Sequence, residues 1–137
     1  MSVFVLDASV AAAWLLEQQA SSRADLALAR LEEEAALVPQ LWHLEVRNCL
    51  LVASRRARLT TGVAAQRLEA LRGLPIRTDT KPDLAVALTL AERHRLSFYD
   101  AIYLELAKRR AAPIATLDKA LAQAAAAQGV PLVCERR

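Results

Sequence analysis

The sequence predicts an α/β fold: one domain spanning residues 1–137, with a short central parallel β-sheet flanked by helices. Short apolar runs such as SVFVL, PIATL and PLVC recur along the chain, and helical stretches separate them. Strands that alternate with helices imply parallel pairing with helices on both faces. The composition agrees, since 55% of residues are apolar and only three are glycine, which excludes disordered, collagenous and repeat proteins. A chain of 137 residues can bury most of its apolar surface around one core.

Residues 2–6 (SVFVL) form the first strand and stop at Asp7, after which the alanine-rich ASVAAAWLL is helical. Residues 21–36 hold Leu26, Leu28 and Leu31 among charges, a helix whose acidic run 32–34 is a solvated face. A short strand at Leu37 and Val38 ends at Pro39, which has no N–H for a ladder. Residues 41–57 (LWHLEVRNCLLVASRRA) are good helix formers with a basic end. Thr60 caps the next helix, TTGVAAQRLEALR, which Gly73 closes. Ile76 and Arg77 make a brief strand before Pro82 opens the helix DLAVALTLAERH. Ser97 begins SFYDAIYLELAKRR, a helix with Pro113 beyond its end. The strand PIATL (113–117), a helix over 118–128 closed by Gly129, and the strand PLVC (131–134) complete the order.

The formal charge of +3 is a mild basic excess that fits an RNA partner without requiring one. Arginines cluster at Arg55, Arg56 and Arg58, at Arg93 and Arg95, at Arg109 and Arg110 beside Lys108, and at Arg136 and Arg137. Several of these sit where cations favour a helix C-terminus in any protein. Cys49 and Cys134 lie far apart among apolar neighbours and read as small core residues, not as a metal or redox pair. The first residues lack the basic region of a secretion signal, and Asp7 interrupts their apolar run. No stretch reaches the roughly 18 apolar residues needed to cross a bilayer, so the expected location is the cytoplasm.

Chemistry points to the acids. In an open parallel sheet, ligands bind beyond the carboxyl ends of the strands. Asp7 ends the first strand and Asp118 follows PIATL, which puts both on one edge, although either could simply cap the following helix. Glu45 is less easily explained that way. Its helical neighbours are Leu41, Asn48 and Cys49, with Val52 a turn further, so it lies on an apolar stripe. An unpaired carboxylate there costs several kcal/mol and calls for a partner, a raised pKa or a cation. Asn48 offers an amide to orient it, and a salt bridge to an arginine is the plainer alternative. Asp100, three residues after Ser97, has Tyr103, Leu104 and Ala107 as helical neighbours. If the four acids meet, each pair about 4 Å apart repels by roughly 4 kcal/mol at an effective dielectric of 20. A divalent cation relieves this, and all-oxygen ligands select Mg²⁺ or Mn²⁺ over zinc.

The ordered set VLDASV, LEVRN, FYDAIYLELAKRR and ATLDKAL resembles the PIN-domain family, and within it the VapC ribonuclease toxins of prokaryotic toxin–antitoxin modules. The resemblance covers nearly the whole chain. It implies that Asp7, Glu45, Asp100 and Asp118 are the acidic catalytic and metal-binding residues, with Asp7 and Asp100 the firmest ligands. Ser9, Thr116 and Asn48 match supporting positions, the two hydroxyls lining the site within reach of water or phosphate. The implied activity is endonucleolytic RNA cleavage with one or two Mg²⁺ ions, Mn²⁺ substituting. The implied partners are a VapB-type antitoxin, which commonly inserts a basic side chain into the acidic groove, and a second copy in a homodimer.

Competing readings are a PIN nuclease of RNA processing or DNA metabolism outside any toxin module, a phospho-receiver-like Mg²⁺-binding signalling module, and a non-catalytic RNA-binding module. The receiver pattern wants adjacent acids after the first strand, and Asp7 is followed by Ala8. His43, His94, Trp14 and Trp42 read as surface or core groups, not as catalysts or stacking platforms.

Overall fold

The computed structural model describes residues 2–16, 21–56 and 61–133. Their elements follow the order β1 (Val3–Leu6), α1 (Ala8–Leu16), α2 (Ser22–Arg30), β2 (Ala35–Pro39), α3 (Gln40–Arg55), α4 (Thr61–Leu71), β3 (Ile76–Asp79), α5 (Leu84–His94), α6 (Phe98–Arg109), β4 (Ile114–Ala115) and α7 (Lys119–Ala127). The strands form one parallel sheet in the order β3-β2-β1-β4, with Val5 opposite Leu37 on one side and Ile114 on the other.

Connections from β1 through β2 to β3 run toward one edge, and the chain then returns across the sheet to β4. Right-handed crossovers therefore place helices before and after that reversal on opposite faces. The packing agrees: α1 lies against α2, α3 and α4, whereas α6 lies against α5 and α7. The reversal makes the β1/β4 boundary the switch point of the sheet, where a crevice opens beyond the carboxyl ends. Beneath it Phe4, Val5, Leu6, Val38, Leu104 and Ile114 are fully or almost fully buried and join the two helix layers into one core.

Several expected boundaries move, for identifiable reasons. The second helix stops at Arg30 instead of running to residue 36, and β2 starts at Ala35 instead of Leu37. Within the acidic run only Glu32 and Glu33 are solvated; Glu34 is buried, with Arg30 at 3.6 Å. The strand PIATL shortens to two residues because Thr116 leaves the ladder and turns its hydroxyl elsewhere. Of PLVC, a single bridge from Leu132 to Ile114 remains among the described residues. Cys134, Arg58, Arg136, Arg137 and the Thr60 cap lie outside them. Cys49 is half-buried instead of core. Trp42 is buried, and Trp14 is half-buried with its indole N–H donating to the Ala24 carbonyl. His43 bonds Thr78, and His94 bonds Gln128, so both histidines are satisfied structurally.

Helices α6 and α7 end alike. After α7, the Gly129 N–H reaches the Ala126 carbonyl and the Val130 N–H the Ala125 carbonyl, with Gly129 at φ 72°. After α6, the N–H groups of Ala111 and Ala112 reach Lys108 and Ala107, with Ala111 at φ 49°. This Schellman closure needs a left-handed residue, which costs an alanine about 1 kcal/mol more than a glycine. Ala111→Gly is therefore expected to stabilise the fold by about 0.5–1 kcal/mol, measurable as a higher urea midpoint with unchanged m-value.

Candidate active site

Asp7 occupies the switch point. It follows β1 directly, its N–H completes the ladder to the Ala115 carbonyl, and its side chain is 5% exposed. Burial pushes its carboxyl above the ordinary range, and Asp118 adds to the push; bonds from Ser9, Thr116 and the Ala8 N–H pull the other way. The Ser9 and Thr116 hydroxyls both donate to Oδ2, each at 2.7 Å, so the other oxygen receives no side-chain donor among the described residues.

The two hydroxyls are themselves held. Ser9 Oγ accepts the Leu117 N–H at 2.9 Å, and Thr116 Oγ1 accepts the Asp118 N–H at 3.0 Å. A chain of bonds thus runs from the turn after β4, through Ser9 and Thr116, onto one oxygen of Asp7. Both hydroxyl protons are committed to Asp7, which gives Ser9 and Thr116 the role of fixing a carboxylate.

Asp118 caps α7, its Oδ1 accepting the Ala120 N–H, so the capping role that its sequence position suggested is real. It also lies close enough to Asp100 for the two carboxyls to interact. Burial, that interaction and the Asp118 charge, with a smaller push from Asp7, raise the Asp100 carboxyl to about 6. Asp100 stands in the first turn of α6, where Ser97 caps by accepting its N–H.

Glu45 projects from α3 and is half-buried, at the border of the core and not within it; the buried stripe of that helix runs through Trp42, Val46 and Leu50. Its partner is neither arginine nor Asn48. The Tyr103 hydroxyl donates to Glu45 Oε1 at 2.7 Å, while Asn48 is exposed. Burial raises the Glu45 carboxyl, the Tyr103 bond lowers it, and Asp7 raises it again. Tyr103 is fully buried, and burial together with Glu45 holds its proton firmly on the phenol. Sequence reasoning treated Tyr103 as an apolar neighbour. The available signal was that a tyrosine on a buried helix face needs a partner for its hydroxyl. Tyr103→Phe is expected to lower activity about 10-fold by releasing Glu45, with little loss of stability; unchanged kinetics would make the bond incidental.

The four acids therefore lie near enough beyond one sheet edge for the Asp7 charge to interact with Glu45, Asp100 and Asp118. They are not drawn into a finished cage: among the described residues no three acid, histidine or cysteine side chains already form a cation site. The donor set still fits a hard divalent ion, being all oxygen, with Asp7, Glu45 and Asp100 raised first by burial and then by neighbouring charge. These raised values have a consequence for stability. The folded chain retains protons that the unfolded chain releases, so without a cation the fold loses stability as pH rises from the ordinary value of 3.8 through about 6. Melting temperatures in EDTA should fall between about pH 4 and 6 and level off above; a steady rise across that window would contradict the electrostatics.

The PIN domain family model matches residues 4–127. Ribonuclease VapC3 of Pyrobaculum aerophilum is 32% identical over 123 residues, covering 87% of this chain and 92% of that protein. Among solved structures, PAE2754 from Pyrobaculum aerophilum superposes with a TM-score of 0.73 at 24% identity, covering 96% of this chain and 84% of that one. VapC20 of Mycobacterium tuberculosis, described as a Sarcin-Ricin loop cleaving toxin, superposes with a TM-score of 0.61 at 15% identity, over 98% and 100% of the two chains.

Proposed function

Because this chain belongs to the PIN-domain family, we propose that it is a Mg²⁺-dependent endoribonuclease, the toxin of a VapBC-type toxin–antitoxin pair, cutting RNA at its acidic cluster. The observation that carries this reading is Asp7: a buried carboxylate at the switch point, steadied by two hydroxyls and electrostatically joined to three other acids. A fold bears that repulsion where a cation is to be held.

Asp7 and Asp100 are the principal ligands in this proposal, with Glu45 and Asp118 completing the set and Mn²⁺ able to replace Mg²⁺. When bound, the ion lowers the pKa of water and offsets charge growing on the phosphate and the leaving oxygen. The protein's own part is placement. Ser9 and Thr116 fix the rotamer of Asp7, Tyr103 fixes Glu45, and the α7 cap fixes Asp118. The raised Asp100 carboxyl must lose its proton before it can serve as a ligand, so cation affinity should rise as pH climbs past about 6.

The antitoxin, in this reading, neutralises the acidic groove with a basic side chain. Leu44 and Leu51 on α3 and Leu84 and Leu88 on α5 are exposed, consistent with self-association as a homodimer. No helix among the described residues is long and apolar enough to cross a membrane, and the proposed site of action is the cytoplasm.

The test is cleavage of total RNA by the purified protein with Mg²⁺ or Mn²⁺, with EDTA, and with Asp100→Asn. Chelation and the substitution should each abolish cutting while circular dichroism is unchanged. Full activity in EDTA would sink the metal mechanism, and Glu45→Gln with unaltered Mg²⁺ affinity would leave Glu45 structural.

A further inference from the structure

Beyond the acids, the same sheet edge carries a second feature. Pro39 and Asp79 are paired last residues of β2 and β3, and a recess of about 200 Å³ opens beside them. Pro39, Leu41 and Pro82 form its apolar walls, with Phe98 and Tyr99 from the first turn of α6. From Ala101 to Ala107 every residue of α6 is buried, yet Phe98 is 37% and Tyr99 60% exposed. Single exposed apolar residues are ordinary. Two consecutive aromatics lining a concave surface immediately before Asp100 are a different arrangement.

We propose that this recess is a nucleobase subsite, in which a base next to the scissile phosphate stacks on Tyr99 and Phe98 and presents its edge to Gln40 and Asp79. The proposal rests on the ribonuclease reading and deepens it by assigning a source of sequence preference.

Position supports it first. The acids Asp7 and Asp118 follow β1 and β4, while the recess lies off β2 and β3, two strand spacings away, or about 10 Å. That is the reach of one or two nucleotides along an extended single strand. Chain connectivity fixes the relation closely, because Tyr99 precedes Asp100 and Leu41 stands one helical turn before Glu45.

Chemistry supports it second. Unstacked bases are recognised by aromatic faces plus hydrogen bonds to the base edge. The recess offers both, and its volume is below the roughly 300–1,000 Å³ of sites for larger ligands, which suits a single planar ring. Gln40 is exposed and its amide can donate or accept. Asp79 is kept ionised by Arg109, which bonds both its oxygens at 3.0 and 2.8 Å, with a further bond from the Lys81 N–H. A carboxylate has about four acceptor sites, so one remains for an N–H on the base. The subsite therefore takes a base through an N–H on its edge, and the exocyclic amino group of adenine, guanine or cytosine presents two such protons where uracil presents only its ring N3–H.

The experiment maps cut sites and steady-state kinetics on a panel of short single-stranded RNAs differing only at the positions flanking one cleavage site. Tyr99→Ala should raise KM about 10-fold with kcat within about 2-fold, and should flatten the base preference at one flanking position. Tyr99→Trp should restore both. Gln40→Ala, an exposed change that leaves the aromatics in place, should alter the preference with little loss of rate, and it keeps the test open if Tyr99→Ala folds poorly. Oligonucleotide binding on the Asp100→Asn background should weaken by the same factor. Unchanged KM and cut-site preference in folded Tyr99→Ala and Gln40→Ala would overturn the subsite, as would a change in oligomeric state alone, which would make this face a protein interface. Failure of the unsubstituted protein to cut any RNA in Mg²⁺ would overturn the ribonuclease reading and the subsite with it.

Discussion

Asp7→Asn is expected to reduce RNA cleavage by about 10³-fold while leaving the fold intact and, without Mg²⁺, somewhat more stable. A divalent ion supplies several kcal/mol of charge stabilisation in such chemistry, and about 1.4 kcal/mol corresponds to tenfold in rate. Asparagine is the informative replacement because its carbonyl can still accept the Ser9 and Thr116 hydroxyls that Oδ2 now receives. Alanine would strand both donors in a buried space and confuse loss of ligation with loss of fold. Removing the charge also relieves the repulsion with Asp118, Glu45 and Asp100. Two measurements separate the effects. Single-turnover cleavage should collapse, and the upward shift in melting temperature that Mg²⁺ is expected to give the unsubstituted chain should be absent from the variant. A variant that still gains stability from Mg²⁺ would remove Asp7 from the ligand set.

The largest expected loss of stability comes from a residue remote from the proposed chemistry. Glu105 is 2% exposed in the middle of α6. Arg109 Nε donates to both its oxygens, at 3.0 and 3.1 Å, and the Asp83 N–H donates to Oε1 at 2.6 Å. The same guanidinium reaches out to Asp79 at the end of β3. Arg109→Ala would leave a buried carboxylate with one donor, and breaking such a pair costs about 3–5 kcal/mol. Adding Glu105→Gln should recover a substantial part, since it removes the uncompensated charge but keeps an acceptor for Asp83. Urea unfolding of the single and double variants checks both figures, and a loss below about 1 kcal/mol would mean that water already shares the pair. The Arg109 bonds also hold the Asp79 carboxyl below its usual range. Its contribution is therefore complete above pH 3.8 and fades as pH falls below that value.

Strand ends and acids were readable in the sequence because each obeys a local rule. SVFVL stops at Asp7, Glu45 interrupts an apolar stripe, and Ser97 caps the helix that carries Asp100. What was not readable depends on which residues meet across long separations. Thr116 is placed at the site by resemblance alone, and no local rule announces that its hydroxyl will turn to Asp7 and shorten the strand expected over PIATL to two residues. Glu34 resembled its solvated neighbours because burial distinguishes residues that composition does not. Tyr103 and Glu45 lie 58 positions apart, and only the packing of α6 beside α3 makes them partners. Asn48, one turn along α3, is exposed and does not bond Glu45, whose partner is that tyrosine.

The clamp on Asp7 also ties the site to a distant part of the chain. Its two ends are separated by 109 positions, and β4, the strand that delivers Thr116, pairs through only two residues. Asp7 and Ser9 are neighbours in the chain, whereas Thr116, Asp118 and the α7 cap come from the far side of five helices and two strands. Without the segment after α6, Asp7 keeps Ser9 as a donor but loses Thr116 and the Leu117 N–H that holds Ser9 in place. Full fixing of Asp7 thus depends on the pairing of β4, a short strand drawn in from far along the chain.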